Sequence, residues 1–100
     1  MIPSMTQDDP AIRAKRLRYR SWHRGTKELD LLLGPYADRA LPGRDSATLD
    51  LYEQLLELPE PLLYALLSGS AEPEVVEGRP EGFDALVLAI RAFHAEPKEI

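Results

Sequence analysis

The spacing of the apolar residues restricts the fold of this chain more than any other feature. Leucine and aromatic residues recur three or four positions apart in several short segments, most clearly from Leu29 to Ala40. That spacing places them on one face of an α-helix. A half-buried strand would alternate with a period of two, and no segment does so over a useful length. The pattern predicts an all-α fold, a small five-helix bundle in which residues 1–100 form a single domain.

Capping residues and glycine predict the bounds of the first helix. Asp9 can cap free backbone amides, and Pro10 suits the first helical position, where no amide hydrogen is needed. The helix should run to about His23 and stop at Gly25, because glycine is the usual residue just past a helix end. Thr26 can cap a second helix immediately afterwards.

Prolines and glycines divide the remainder of the chain. Gly34-Pro35 interrupts the second helix, and we expect a kink rather than a break because the apolar stripe continues beyond the proline. Asp45 or Ser46 should cap a third helix, which stops before Pro59. Pro61 should start a short fourth helix that stops at Gly69. A fifth helix should run from about Gly82 to Ala95. The predicted core-facing stripes are Leu29, Leu32, Leu33, Tyr36 and Ala40; Leu49, Tyr52, Leu55 and Leu56; Leu62, Leu63, Leu66 and Leu67; Phe83, Leu86, Ile90 and Phe93; and a looser set of Ile12, Leu17, Tyr19 and Trp22 in the first helix. Residues 1–9 and 96–100 are expected to be flexible.

Composition excludes several classes of protein. The chain has no cysteine, which removes disulfides, thiolate nucleophiles and cysteine-based metal sites and fits a reducing compartment. No apolar run approaches the roughly 18 residues needed to span a bilayer. The stretch "MIPSMTQDDP" has neither an apolar signal core nor an arginine-rich transit character. We therefore predict a cytoplasmic protein that does not associate with membranes.

The residue types that enzymes use are not arranged here for catalysis. His23 and His94 have no cysteine or histidine neighbour at zinc-binding spacing. The serines lack a recognisable nucleophile setting, and no glycine-rich phosphate loop follows a strand. Glu28 and Asp30 are two positions apart on a helix, so they point in different directions and make a poor acid–base pair. We predict a protein that is not an enzyme and that has no catalytic or metal-binding residue and no stably bound cofactor.

Positive charge is concentrated in one segment of the chain. Residues 11–24 carry six basic residues and no acid, whereas the other six basic residues and all 17 acidic ones leave the remainder at −11. One interpretation is a solvated helical face whose arginines pair with nearby acids. Another is a nucleic-acid-binding or regulatory module, but the pI near 5.0 is far below the value above about 9 that is typical of such domains. The six residues are Arg13, Lys15, Arg16, Arg18, Arg20 and Arg24.

The segment "HRGTKELDLLLG" contains the pattern Arg-Gly-x-x-Glu, formed by Arg24, Gly25 and Glu28 and followed by leucine and Asp30. Together with "RLRYRSWHRG" before it and "LDLYEQLLELPEPLLYALLSG" after it, it resembles the succinate dehydrogenase assembly factors of the SdhE family over roughly residues 12–69. The resemblance implies a helical, non-enzymatic protein that binds the flavoprotein subunit of succinate dehydrogenase, with that of fumarate reductase as a second candidate. Such a factor assists the covalent attachment of FAD to its partner and need not bind free FAD.

The motif admits a structural and a functional account. In the structural account, glycine ends one helix, glutamate favours the positive N-terminus of the next, and Arg24 pairs with Glu28 across the joint. In the functional account, the missing Cβ of Gly25 lets a partner backbone approach, and the opposite charges orient that partner. The accounts are compatible, and the resemblance favours the functional one. The predicted partner-binding residues are Arg24, Gly25, Glu28 and Asp30 from the motif and its flank, with Arg16 and Arg18 from the basic helix.

One departure from the family lies in the fourth helix. Family members often carry a tryptophan two residues after the tyrosine that Tyr64 matches, and this chain has Leu66 there. A leucine can fill the core, so the fold should be kept. Any contact that the tryptophan makes with a partner in relatives would be altered here.

Overall fold

Five α-helices account for most of the residues that the structure describes. The computed structural model describes residues 9–95. Within them, α1 spans Pro10–Trp22, α2 Lys27–Ala40, α3 Ser46–Leu56, α4 Glu60–Ser68 and α5 Phe83–Ala95, and a 3-10 turn at Pro73–Val75 lies between α4 and α5. No strand occurs between residues 9 and 95, so the predicted all-α fold is confirmed. The flexibility predicted for residues 1–8 and 96–100 concerns residues outside this range.

Side-chain caps define the starts of the first three helices. The Asp9 carboxylate accepts a hydrogen bond from a first-turn amide of α1 at 2.9 Å, and the Thr26 hydroxyl does the same for α2 at 3.3 Å. At α3 the cap is Asp45, which accepts from the Thr48 amide at 3.0 Å. Each bond satisfies a backbone donor that the first turn of a helix leaves free. The predicted caps are confirmed, with Asp45 rather than Ser46 at α3.

Helix α1 ends earlier than predicted. Its last residue is Trp22, and His23 leaves the helical conformation with φ −131° and ψ 55°. The His23 ring donates from Nδ1 to the Tyr19 carbonyl at 2.8 Å, while the His23 amide donates to Arg20 at 3.2 Å. The His23 ring therefore bonds to the Tyr19 carbonyl, which is the acceptor that the His23 amide would use if the helix continued. Gly25 lies in the link beyond this point, not immediately after the helix end.

Helix α2 runs through Pro35 without a break. Proline removes one backbone hydrogen bond, but α1 and α2 form the most extensive helix pair of the described residues. Trp22 of α1 contacts α2 on both sides of the proline, at Gly34 and at Asp38. From α5, the His94 ring also bonds through Nε2 to the Leu32 carbonyl at 2.6 Å. The prediction that the proline would not divide the helix is confirmed, and the kink stays a prediction.

Contact between α1 and α2 depends on a glycine. The Trp22 indole lies directly over Gly34, and its Nε1 donates to Asp38 at 3.1 Å. A Cβ atom added to Gly34 would lie 2.7 Å from Cε3 of the indole and closer still to Cδ2 and Cε2. Asp38 also accepts from the Arg18 Nε at 3.3 Å. Gly34 is therefore required by packing against Trp22.

All five helices contribute to the core, and Leu17 does so in α1 as predicted, although two other residues of the predicted set do not. Ala14 and Leu17 of α1 are buried, whereas Ile12 and Tyr19 are 47% and 64% exposed. The prediction was wrong for the last two because they do not share the face that Ala14, Leu17 and Ser21 form at helical spacing. The other buried apolar side chains are Leu29, Leu33, Ala37, Leu41, Leu49, Tyr52, Leu55, Leu56, Leu63, Leu66, Leu67, Phe83, Val87 and Ile90.

A buried polar pair links α1 to α3. The Ser21 hydroxyl donates to the Leu17 carbonyl at 2.8 Å and lies 2.6 Å from the Tyr52 hydroxyl, which then donates to it. Both residues are almost completely buried. Burial raises the pKa of the Tyr52 phenol far above its ordinary value, so the ring stays neutral. The pair satisfies two polar groups inside the bundle.

Candidate partner-binding site

The link between α1 and α2 comprises residues 23–26 and leads into the first turn of α2. Gly25 has a φ of +106°, in the left-handed region that side chains rarely adopt. A Cβ atom added there would meet nothing within 4 Å. Glycine is therefore required by the backbone conformation and not by crowding within the described chain. The space above Gly25 is open to another molecule.

The Arg24 side chain turns inward and does not pair with Glu28. It is 11% exposed, and its Nη2 lies 3.9 Å from a carboxylate oxygen of Glu60, the first residue of α4. The predicted pair across the joint is wrong because the start of α4 lies beside the link and supplies the closer carboxylate. The Arg24 Nε is buried and has no hydrogen-bond partner among residues 9–95. The guanidinium is thus desolvated and loosely paired.

Asp30 and Glu28 point in different directions, as their spacing predicts. Asp30 is half-buried, and its carboxylate accepts a hydrogen bond from the Arg24 amide at 2.7 Å. That bond ties the link to the first turn of α2. Glu28 is exposed and forms no ion pair with any described residue. Of the two carboxylates, that of Glu28 is the more available to another molecule.

An open groove of about 490 Å³ lies between the first turns of α2 and α4. The residues that line it are Thr26, Glu28, Leu29, Glu60, Pro61 and Tyr64. The groove places the motif glutamate beside Glu60 and Tyr64, which are four positions apart and hence on the same face of α4. Much of its surface is apolar, and its two carboxylates come from different helices. It is the feature of the motif region best suited to hold part of another molecule.

Sequence reasoning did not single out Glu60 and Tyr64 as site residues. One signal in the sequence does point to Tyr64, since this aromatic residue lies outside the buried stripe formed by Leu63, Leu66 and Leu67. It is 44% exposed. Leu66, by contrast, is completely buried, so the leucine does fill the core as predicted.

Most of the basic residues of α1 and the link are paired with acids. The ion pairs are Arg13 with Asp50 and Glu53, both at 2.6 Å, Arg18 with Asp38 at 3.3 Å, Arg20 with Glu53 at 3.6 Å and Glu57 at 3.1 Å, and Arg24 with Glu60 at 3.9 Å. The hydrogen bond to Glu53 raises the pKa of the Arg13 guanidinium. Four of the six cations are therefore partly neutralised within the chain. This favours the interpretation of a solvated helical face with internal ion pairs.

Arg16 and Arg18 differ in how available they are to a partner. Arg16 and its neighbour Lys15 are exposed and form no ion pair within residues 9–95. Arg18 is held by Asp38, which also binds Trp22. Neither arginine lines the groove. Each could therefore act on a partner only through long-range attraction or through a second contact outside the groove.

Neither a cluster of metal ligands nor a membrane-spanning helix is present among the described residues. Between residues 9 and 95, no group of three or more histidine, aspartate or glutamate side chains is arranged to hold a metal ion. None of the helices in that range is both long enough and apolar enough to cross a membrane.

Comparison with known proteins identifies the family. The family model described as "Flavinator of succinate dehydrogenase" matches residues 15–94, which include the link and the groove. A protein of Acetobacter pasteurianus named "FAD assembly factor SdhE" is 35% identical over 65 residues, which are 65% of this chain and 60% of that relative. A protein of the same name from Coxiella burnetii is 33% identical over 66 residues, 66% of this chain and 79% of the relative. No solved structure matches significantly. These names describe assembly factors and not catalysts, and the chain belongs to the family described as the flavinator of succinate dehydrogenase.

Proposed function

We propose that this chain binds the flavoprotein subunit of succinate dehydrogenase and promotes the covalent attachment of FAD to it. The observation that carries the proposal is the family match over residues 15–94. We include the flavoprotein subunit of fumarate reductase as a second client and the cytoplasm as the place of action. Neither similar protein is named as a nucleic-acid-binding protein. The internal ion pairs of α1 also weaken that alternative.

The chain acts on its partner as a chaperone in this proposal. The new bond joins a histidine of the flavoprotein to the isoalloxazine ring, and the reactivity belongs to the flavin and to the partner's own groups. The small bundle would select the partner conformation in which the histidine and the flavin are aligned, which lowers the entropic part of the barrier. FAD is the partner's cofactor, and the chain needs no stable hold on it.

The open side of the link and the groove are the proposed contact surface. Gly25 lets a partner backbone come close, and Glu28 presents an unpaired charge. Arg24 and Asp30 would act mainly from beneath, because the Arg24 side chain is buried and Asp30 binds its amide. An assembly factor must also leave its partner, so we expect a moderate and partly polar interface.

Deletion of the gene should remove most covalent flavin from the succinate dehydrogenase flavoprotein. Only covalently held flavin survives denaturation, so the measurement is flavin fluorescence at the size of that subunit on a denaturing gel. The polypeptide itself should still be made, which an immunoblot checks. An unchanged fluorescence signal in a strain that has no second factor of this family would contradict the proposal.

Neutralising Arg16 and Arg18 together should slow binding to the flavoprotein without unfolding the chain. Arg16 has no ion pair in the described residues, and an exposed pair such as Arg18–Asp38 contributes at most about 1 kcal/mol. If the basic helix steers the encounter, the association rate should fall and lose part of its salt dependence. Association kinetics of Arg16→Gln/Arg18→Gln at several ionic strengths measure this. Arg39→Gln/Arg44→Gln removes two charges at exposed positions outside α1 and is the matched control. Equal effects of the two double changes would contradict the steering role.

A further inference from the structure

The α4 side of the groove is formed by Glu60, Pro61 and Tyr64, none of which belongs to the Arg-Gly-x-x-Glu motif. Glu60 and Tyr64 lie on one face of α4 and line the groove together with Glu28 of α2. Leu29 and Pro61 supply apolar surface between these polar groups. The groove thus combines carboxylates from two helices, an exposed aromatic ring and an apolar lining.

The charges of the groove favour a single cation as its occupant. Glu28 is unpaired within the described residues, and Glu60 faces Arg24 at 3.9 Å, which is too long for a hydrogen bond. Arg24 lies beneath the surface with 11% of its side chain exposed, so an incoming group meets the carboxylates first. Two carboxylates and one guanidinium leave one negative charge, which one cationic side chain would balance.

We infer that this groove receives an arginine side chain of the flavoprotein subunit, an inference that rests on the proposed function. A guanidinium is planar, so it can stack on the Tyr64 ring while its N–H groups donate to carboxylate oxygens. The apolar lining suits the aliphatic stem of such a side chain. A lysine ammonium is not planar, so it would stack less well on the Tyr64 ring and could not form paired hydrogen bonds to a carboxylate. Glu28, Glu60 and Tyr64 are then the residues that select the partner segment.

Binding of the purified chain to the purified flavoprotein subunit tests this assignment. Glu28→Gln and Glu60→Gln should each weaken binding about tenfold and reduce its salt dependence, because each removes a charged acceptor. Tyr64→Leu should weaken binding about two- to fivefold, and Tyr64→Phe, which keeps the ring face, should weaken it less than Tyr64→Leu does. Glu77→Gln makes the same charge change at an exposed position outside the groove and should have no effect. Thermal unfolding of each variant checks that the fold is kept.

A footprint on the partner identifies the occupant directly. Phenylglyoxal modifies accessible arginines, so at least one flavoprotein arginine should be protected in the complex and should lose that protection with Glu28→Gln/Glu60→Gln. Absence of such a protected arginine, or unchanged affinity of the glutamate variants, overturns the inference while leaving the gel result for the proposed function intact. Tighter binding by the glutamine variants would indicate an anionic occupant and also overturn it. If the original chain binds no flavoprotein at all, the proposed function falls with it.

Discussion

A deletion strain that carries the Glu28→Ala variant should recover almost none of the covalent flavin that the original chain restores. Glu28 is exposed and unpaired within the described residues, so its removal costs only its favourable position at the start of α2, about 0.3–1 kcal/mol. A domain of typical stability, about 5–15 kcal/mol, stays folded after such a loss. The expected defect is therefore in partner binding. Flavin fluorescence on a denaturing gel measures it, with an immunoblot for the level of the variant.

Gly25→Arg should block the same step more strongly. Its φ of +106° makes any side chain strained, at a cost of about 1–3 kcal/mol, but a Cβ atom there meets no atom of the described chain within 4 Å. The variant should keep a helical circular-dichroism spectrum and lose flavoprotein binding because the arginine fills the approach to the link. Gly25→Ala carries the same backbone strain with little bulk, so comparing the two variants separates strain from obstruction.

Controls decide between a contact surface and a simple helix joint. Glu77→Ala removes an exposed acid outside the groove and should restore flavin fully. If Glu28→Ala also restores covalent flavin at the protein level of the original chain, the motif serves only to join α1 to α2. Loss of helical signal in either variant would assign its defect to folding.

Gly34→Ala should be the most destabilising single-methyl change in the α1–α2 pair. The added Cβ would overlap the Trp22 indole, and moving the ring breaks the hydrogen bond from Nε1 to Asp38. Overpacking of this kind costs about 1–3 kcal/mol, whereas alanine gains about 1 kcal/mol over glycine in a helix interior. The expected net loss of folding free energy is therefore up to about 2 kcal/mol. For a domain of this size, each kcal/mol lowers Tm by about 4–8 °C. Thermal unfolding measures the loss, and the fluorescence of the single tryptophan reports the displaced ring.

A double-mutant comparison tests the cause of that loss. In a Trp22→Ala background the obstructing ring is absent, so Gly34→Ala should become neutral or stabilising because alanine is the better helix former. The same penalty in both backgrounds would mean that the indole is not what Gly34 accommodates.

Local features of the sequence determined most of the secondary structure. A cap such as Thr26 satisfies an amide three residues away, and the leucine stripe of α2 has a period of one helical turn, so both can be recognised within a short window. Helix α1 ends one residue before the predicted His23, because the His23 ring, and not its amide, donates to the Tyr19 carbonyl. Ile12 and Tyr19 were assigned to the core because a loose apolar stripe does not specify which face of a helix will be covered.

The tertiary structure alone decided how the motif residues are used. Arg24 pairs with Glu60 of α4. The groove is lined by Glu28 of α2 and Tyr64 of α4. Gly34 of α2 has to be a glycine because the Trp22 indole of α1 lies against it. The partners in each case come from different segments of the chain, so which of them meet depends on how the helices pack and not on any spacing along the chain. The sequence by itself therefore determined the helices and pointed to the family, whereas helix packing determined which charges are internally paired and which face a partner.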